Sequence, residues 1–432
     1  MLALLAVLMS APAISGGAHP PPLPPSPKAT GFFHAQQLGD LWWLIDPQGK
    51  RFLSIGITSV RMDGDTIRGT NRQPYREACQ AKYGSQEAWS AAALKFITGL
   101  GFNTLGSWCG DYLWDQGVPY TVILNIAASS GANWQAGRVA DLWSPKFEQT
   151  ADDLATKLCK PRANSHQLIG YYLDNELRWG PDYRASTTYI EEYLMMPADA
   201  PGHAKAVAFL HDRYKTVADL NAAWKLTLAD WSGLDTVHFA SPYRAPASWA
   251  DSNAFVGLAA HRYFEVCHDA VRRQDPNHMI LGCRDDMASS GLPVAEASRG
   301  LVDVWSVNYY VPRAFAPPLK MQYYAAHAPI LITEWSFRSR DSGLPNTEGA
   351  GPVVATQSDR ADKYREYMTD LLAQPYVVGA HWFEYVDEPA EGRFDGENSN
   401  YGLVNIHDDS YTVFDAVVKQ VNAQAFKLHG GK

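Results

Sequence analysis

The stretch LIGYYLDNE, residues 168–176, joins an apolar run to three polar residues. The run from Leu168 to Leu173 is typical of a buried strand and leads directly into Asp174, Asn175 and Glu176. Burying acidic and amide groups without partners is unfavourable, so their position needs an explanation. They either begin a helix, with Asp174 or Asn175 as its N-cap and Glu176 near the positive end of the helix dipole, or they present a catalytic carboxylate.

Seven further stretches share this form, a short run of β-forming apolar residues that ends in polar or aromatic side chains. Runs that are apolar almost throughout indicate strands covered on both faces, which is typical of parallel sheets. The predicted strands are, in chain order, 52–60, 101–108, 119–126, 168–176, 279–286, 302–310, 329–336 and 377–385.

Helix-like segments, with apolar residues at helical spacing, lie between many of these strands. Examples are 86–100, 145–159, 261–274 and 359–373. Strands that alternate with helices predict βα units, and eight such units predict an α/β fold of the (β/α)8 TIM barrel type. A doubly wound open sheet is the alternative, but it usually begins with a glycine-rich turn, which this sequence lacks.

Two segments outside the regular βα pattern carry further predictions. Residues 40–53, DLWWLIDPQGKRFL, predict a hairpin around Pro47, Gln48 and Gly49 that closes the floor of the barrel. Residues 177–278, between the fourth and fifth strands, are too many for one returning helix. We therefore expect an enlarged insertion between strands four and five that packs over the top of the barrel.

The N-terminal region predicts export. Residues 1–18 contain a short apolar run followed by Ala11-Pro12-Ala13, which fits a secretory signal peptide and is too short to span a bilayer, although a positive charge near the start is missing. Residues 19–30 are rich in proline and predict an extended linker. A single domain is expected over residues 31–432, in a secreted or periplasmic protein.

The composition is that of a globular protein, with 46% hydrophobic and 19% charged residues. A net charge of −9 argues against nucleic acid or an anionic membrane as the main partner. The 14 tryptophans and 22 tyrosines fit a carbohydrate partner, because aromatic rings form platforms for sugars as well as cores.

The sequence lacks H-E-x-x-H, Walker and G-x-G-x-x-G motifs, so no metal or cofactor is expected. The oligomeric state stays open.

Two of the predicted strands, the fourth and the seventh, end in a glutamate. These residues are Glu176 and Glu334. In TIM barrels the chemistry lies at the carboxyl ends of the strands, so the fold would bring the two together. Paired carboxylates about 5–5.5 Å apart are the acid/base and the nucleophile of retaining glycosidases. A buried ion pair is the structural alternative for Glu334.

Four blocks of sequence resemble the catalytic module of the family 50 β-agarases, which belong to the clan A retaining glycoside hydrolases. The resemblance covers most of residues 31–420 and implies that Glu176 is the general acid/base and Glu334 the nucleophile. It also implies that Asn175 binds the sugar 2-hydroxyl. The blocks are WWLIDPQGKRFLSIGI (42–57), YYLDNELRWG (171–180), ITEWSF (332–337) and HWFEYVDEPAEGRFDGENSNYGLVN (381–405).

Aromatic residues at two other strand ends are expected in the same site. Tyr310, at the end of strand six, is placed to donate a hydrogen bond to Glu334, and Tyr309 is its rival. Trp382, in strand eight, is expected to give the stacking face for the cleaved sugar, although a place in the core is its alternative.

Further polar and aromatic residues lie on the expected catalytic face because they also end strands. They are Arg61, Trp108, Asn125, Arg284, Asp285 and Asn308. After strand eight comes a dense polar loop, whose oxygens could bind calcium. Its spacing matches no EF-hand, so a sugar-binding or self-hydrogen-bonded loop is favoured over an ion site. The loop residues are Glu384, Asp387, Glu388, Arg393, Asp395, Glu397 and Asn398, and the first of them, Glu384, is expected to bind the substrate.

These observations predict a retaining β-glycoside hydrolase that cleaves a galactose-containing polysaccharide or oligosaccharide, with the substrate inferred from the resemblance. Another clan A β-glycosidase, such as a β-galactosidase or β-glucanase, is the alternative, because fold does not fix substrate. A non-catalytic carbohydrate-binding barrel is a second alternative. A metal-dependent hydrolase is disfavoured, since His381 is the single histidine within the eight predicted strands.

Overall fold

The structure is a computed structural model that describes residues 27–237, 239, 244–289 and 291–430. The predicted signal peptide, residues 1–18, and most of the predicted linker lie outside these residues. The strands are β1 (His34–Leu38), β2 (Leu41–Ile45), β3 (Arg51–Phe52), β4 (Ser54–Ile57), β5 (Thr104–Leu105), β6 (Tyr120–Ile123), β7 (Leu168–Tyr172), β8 (Met279–Ile280), β9 (Trp305–Asn308), β10 (Ile330–Glu334), β11 (Arg338–Ser339), β12 (Val353–Val354) and β13 (Val377–Trp382).

The helices of the described residues alternate with most of these strands. They are α1 (Pro74–Tyr83), α2 (Gln86–Gly99), α3 (Ile126–Ser130), α4 (Pro145–Leu154), α5 (Tyr189–Leu194), α6 (Pro201–Arg213), α7 (Val217–Trp224), α8 (Pro246–Gln274), α9 (Leu292–Ala297), α10 (Ala316–Ala326), α11 (Gln357–Leu372), α12 (Thr412–Asn422) and α13 (Ala425–Leu428).

Local sequence explains where two of the helices begin. Ser85 caps α2, because its side chain accepts a 3.2 Å hydrogen bond from the backbone N–H of Ala88. Thr356 and Asp359 form a reciprocal capping box at the start of α11. The predicted helices 86–100 and 359–373 therefore match α2 and α11 to within two residues at either end.

The central sheet has eight parallel strands in the order β8-β7-β6-β5-β4-β13-β10-β9, and each lies within one of the predicted strands. Hydrogen bonds also join the two ends of this order. The backbone N–H of Asp285, beyond β8, donates to the carbonyl of Ser306 at 3.0 Å, and the N–H of Asn308 donates to the carbonyl of Asp285 at 2.8 Å. The curled sheet thus fits the TIM-like barrel predicted from the sequence.

The hairpin predicted at residues 40–53 is present and covers one end of the sheet. β2 and β3 pair antiparallel across a turn in which the N–H of Gly49 donates to the carbonyl of Asp46 at 2.9 Å. Leu44 of the hairpin packs in one cluster with Ile169, Leu331 and Val378 from three strands. Since these residues lie near the amino ends of their strands, the hairpin closes the floor and leaves the opposite end for the site.

The described residues between β7 and β8 contain four α-helices, α5 to α8. The last of them, α8, packs against α4, α5 and α9.

Among the described helices, none is both long and apolar enough to cross a membrane. The five cysteines are free thiols, and all but Cys109 are buried.

Candidate active site

The polar residues at the ends of β7, β9 and β10 converge in one hydrogen-bonded group. Asn308 connects the others, because its Nδ2 donates to Glu176 Oε1 at 2.7 Å. Its Oδ1 accepts a 2.7 Å hydrogen bond from the hydroxyl of Thr333, the residue before Glu334. The convergence of Glu176 and Glu334 predicted from the strand pattern is therefore present in the folded chain.

Glu334 lies among three hydrogen-bond donors. Arg284 Nη2 donates to Oε1 at 2.5 Å, and the indole Nε1 of Trp108 donates to the same oxygen at 3.2 Å. The hydroxyl of Tyr310 donates to Oε2 at 2.8 Å. A guanidinium and two neutral donors stabilise negative charge on the carboxylate, which suits a group that must act in its ionised form.

Glu176 has a different environment. Besides the bond from Asn308, it accepts a 2.9 Å hydrogen bond at Oε2 from the indole Nε1 of Trp134. Burial, together with the nearby charges of Glu334 and Asp286, raises the pKa of Glu176 to about 7. A carboxyl group with that pKa carries its proton for part of the time near neutral pH and can serve as a general acid.

Arg284 connects Glu334 at the end of β10 with Asn175 beyond the end of β7. While Nη2 contacts Glu334, Nη1 donates to Asn175 Oδ1 at 2.6 Å. The side chain is fully buried, and its guanidinium lies over the ring of Trp108 at 5.3 Å from the centroid. Arg284 therefore fixes the Asn175 amide relative to the Glu334 carboxylate.

Asp174 points away from this group and towards the helices. Its carboxylate accepts hydrogen bonds from the backbone N–H groups of Ala127 and Ala128 in α3, at 2.8 and 3.1 Å. The hydroxyl of Tyr263 in α8 donates to it at 2.8 Å. Burial raises the pKa of Asp174 to about 6. Of the residues first considered as helix caps, Asp174 thus supports the start of a neighbouring helix, whereas Asn175 and Glu176 belong to the site.

A cavity of about 1040 Å³ opens above the two glutamates. Its volume is sufficient for more than one sugar unit. Both glutamates line it, and so do several residues that the sequence suggested for this face. Those residues are Arg61, Trp108, Asn125, Asn175 and Tyr310.

The two tyrosines that end the sixth predicted strand have separate roles. Tyr310 lines the cavity and donates to Glu334, as described above. Tyr309 is buried and its hydroxyl donates to the carbonyl of Phe315 at 3.3 Å, outside the glutamate group. The geometry therefore favours Tyr310 over its rival.

The structure contradicts the stacking role predicted for Trp382. Its side chain is 0% exposed, and its Nε1 donates to the carbonyl of Tyr401 at 2.9 Å. The ring packs edge-on against Trp335 at 4.9 Å and does not line the cavity. The next residue, Phe383, lines the cavity in its place, because successive residues at a strand end point in opposite directions.

The substrate contact predicted for Glu384 is likewise not present, since this residue is 1% exposed and does not line the cavity. The loop that follows it contains several hydrogen bonds between its own side chains. Arg393 Nη2, for example, donates to Glu397 Oε2 at 2.6 Å and to Asp395 Oδ2 at 2.9 Å.

Several cavity residues were not identified from the sequence. Trp134, which donates to Glu176, lies in the loop after α3. Asp286 lines the cavity one residue beyond Asp285, and Tyr183 and Phe394 form exposed aromatic parts of its wall. One feature of the sequence could have indicated Trp134. It lies among small residues in GANWQAG (131–137), directly after a predicted strand.

Comparison with known proteins adds information about ancestry. No family model matches the chain. Beta-agarase B of Vibrio sp. (strain JT0107) is 26% identical over 94% of this chain and 49% of its own length. Beta-agarase A of the same organism is 29% identical over 88% of this chain and 44% of its own length. The chain therefore spans about half the length of these curated relatives.

A solved structure agrees with this relationship. The crystal structure of an agarase, AgWH50C, is 26% identical and superposes with a TM-score of 0.81, covering 94% of this chain and 66% of that one. The chain is thus homologous to β-agarases along most of its length, through the region that contains the two glutamates.

Proposed function

We propose that this chain is a glycoside hydrolase of the family 50 β-agarase type, which cleaves a galactose-containing polysaccharide or oligosaccharide with retention of configuration. One observation carries the proposal, the pair of glutamates that face one cavity in opposite electrostatic environments. Glu334 accepts hydrogen bonds from three donors, whereas burial raises the pKa of Glu176 to about 7. The homology to β-agarases supports the substrate class.

In the first step Glu334 attacks the anomeric carbon and forms a glycosyl ester, while the glycosidic bond breaks. Glu176 gives its proton to the departing oxygen. The charge of Glu334 helps to keep Glu176 protonated before the reaction. That charge is lost when the ester forms, so the pKa of Glu176 falls during the step.

In the second step the now ionised Glu176 accepts a proton from water, which attacks the anomeric carbon and releases Glu334. Trp134 and Asn308, which donate to its two oxygens, stabilise the ionised form. The same carboxyl group thus serves first as acid and then as base, and two inversions give net retention.

We assign the sugar 2-hydroxyl to Asn175. Arg284 and Asn308 both donate to its Oδ1, at 2.6 and 3.3 Å, which orients the amide with Nδ2 away from them. That nitrogen would donate to the hydroxyl, and the contact would strengthen in the transition state. Phe383 takes the stacking role first assigned to its neighbour Trp382.

The test is the Glu334→Gln variant, assayed on agarose and neoagaro-oligosaccharides beside Glu348→Gln. Glu348 lines the same cavity, so its replacement controls for the loss of one carboxylate charge there. We expect Glu334→Gln to lower kcat by at least about 10³-fold, because no nucleophile remains, and the control to stay within about tenfold of wild type. Equal activity of the two variants would refute the assignment.

A substrate panel separates the proposal from its alternatives. Besides agarose, porphyran and nitrophenyl β-galactosides and β-glucosides are offered, and NMR follows the first anomer released. Hydrolysis of the nitrophenyl glycosides or of a β-glucan, without action on agarose, would favour another β-glycosidase. Binding of agaro-oligosaccharides without any hydrolysis would favour a carbohydrate-binding barrel.

We also propose the organisation that the sequence predicts. Residues 1–18 would direct export and be removed, residues 31–432 would form one domain, and residues 177–278 would contain the insertion over the cavity end of the barrel. N-terminal sequencing of the protein from the culture medium or periplasm tests the first point. An intact Met1 on a protein retained inside the cell would contradict it.

A further inference from the structure

Three buried carboxylates outside the glutamate pair lie against one another. Asp65, Glu384 and Glu388 each contribute one oxygen, and these oxygens all lie within 4.8 Å of one another. Asp65 lies in the loop after β4, and the two glutamates follow β13. Because β4 and β13 are neighbours in the sheet, the cluster joins two adjacent loops at the cavity end of the barrel.

Two carboxylate oxygens of these residues have neither a hydrogen-bond donor nor an ion-pair partner among the described residues. Oδ2 of Asp65 and Oε1 of Glu384 are buried and accept no hydrogen bond there. Glu384 is 1% exposed and also has no ion pair within the described part of the chain. Ser59 contacts the Glu384 carboxylate, and Arg61 and Arg393 lie near it, but Oε1 itself has no donor. A buried carboxylate oxygen without a donor is unfavourable, so these oxygens indicate a missing positive ligand.

The neighbouring arginines compensate only part of the negative charge. Arg61 Nη2 lies 2.6 Å from Asp65 Oδ1, and Arg393 Nε lies 3.0 Å from Glu388 Oε1. Arg393 is itself shared with two further carboxylates, those of Asp395 and Glu397. Two guanidinium groups therefore face five carboxylates, which leaves an excess of negative charge around Glu384.

We propose that Asp65, Glu384 and Glu388 bind a divalent cation of the Ca²⁺ type. All the donors are hard oxygens, which such a cation prefers. Oxygens on opposite sides of Ca²⁺ lie about 4.6–5.2 Å apart, twice its usual bond length, so the spread of the cluster fits this ion. Mg²⁺ requires a tighter octahedron and keeps its waters, so it should bind more weakly.

The cation would fasten the wall of the cavity. The two loops are already joined by a hydrogen bond from the backbone N–H of Arg68 to the carbonyl of Gly392, at 2.8 Å. Asp65 and Arg393 both line the cavity, so the cluster lies directly behind that wall. The inference does not rest on the proposed glycosidase activity, and its test measures binding and stability alone.

The first experiment is isothermal titration calorimetry of the full chain, treated with EGTA and then dialysed free of it. We expect CaCl₂ to bind with one ion per chain, because the three carboxylates form one cluster of hard oxygen donors. MgCl₂ should bind at least about tenfold more weakly. No heat up to millimolar CaCl₂ would overturn the proposal and would leave proton sharing as the way in which the cluster is neutralised.

The second experiment uses thermal unfolding of Glu384→Gln and Asp65→Asn. Wild type should gain about 3 °C in Tm at a Ca²⁺ concentration 100-fold above its Kd, and both variants should lose this gain. Asp415→Asn removes a buried carboxylate elsewhere and should keep it. Variants that respond to Ca²⁺ like wild type would overturn the assignment, and if they fail to fold the wild-type titration decides alone.

Discussion

Replacing Glu176 with glutamine is expected to stabilise the folded protein by an amount that grows with pH. A buried carboxyl group with a raised pKa resists ionisation in the folded state, whereas in the unfolded chain it ionises freely. The wild type should therefore lose stability as pH rises from the ordinary value of 4.5 to about 7, the pKa of Glu176 in the folded chain. A glutamine is neutral throughout and escapes this loss.

The magnitude follows from the two pKa values. Between pH 5 and pH 8 the suppressed ionisation of Glu176 is equivalent to about 1.8 pKa units. At about 1.4 kcal/mol per unit, it lowers the free energy of unfolding of the wild type by about 2.5 kcal/mol. Glutamine also places an NH₂ group against one of two donors, Trp134 or Asn308, at a cost of about 1–3 kcal/mol. This cost does not vary with pH, so the change between the two pH values isolates the effect of burial.

The assay is urea unfolding of wild type and Glu176→Gln at pH 5 and pH 8, with Glu366→Gln as the control. Glu366 pairs with Lys363 on the surface, where its side chain is 57% exposed. The free energy of unfolding of Glu176→Gln, relative to wild type, should be about 2–3 kcal/mol larger at pH 8 than at pH 5. For the control this difference should change little. Equal gains at the two pH values, or a larger gain at pH 5, would refute the reasoning.

The structure sets the direction of the effect of four other substitutions. Asp286→Asn removes a charge that raises the pKa of Glu176, so the alkaline limb of the kcat/KM profile should move to lower pH; an unmoved limb would argue against that coupling. Asp174→Ala should cost about 2–4 kcal/mol of stability in urea unfolding, since three donors lose their acceptor. Trp382→Ala should lower the free energy of unfolding by about 3–5 kcal/mol, whereas Phe383→Ala should chiefly raise KM. The reverse pattern would indicate that Trp382, and not Phe383, contacts the substrate.

The strands could be predicted because each is marked by a local apolar run. The proximity of the two glutamates could be predicted because the barrel topology brings the strand ends together. Continuous apolar runs such as Leu168–Tyr172 and Ile330–Glu334 mark buried parallel strands, and each is observed within its predicted bounds. Once eight such strands close into a TIM-like barrel, their carboxyl ends must share one face. Glu176 and Glu334, far apart in sequence, then become neighbours.

Side-chain direction at a strand end could not be predicted in the same way. A shift of one residue exchanges the two faces of a strand, and the pairing of β10 with β13 contains such an irregularity. At the end of β13, likewise, one residue separates the buried Trp382 from Phe383, which lines the cavity. The roles of Asp174 and Trp134 depend on α3 and the loop after it, whose positions no residue periodicity reveals.

The central claim is that Glu334 is the nucleophile of a retaining mechanism. It is tested most directly by incubation with a 2-deoxy-2-fluoro-β-galactoside that carries a good leaving group, followed by mass spectrometry of peptides. We predict one fluorosugar per chain, bound to Glu334 and absent from Glu334→Gln. A label on another residue, or release of the inverted anomer from the natural substrate with no label at all, would contradict the account.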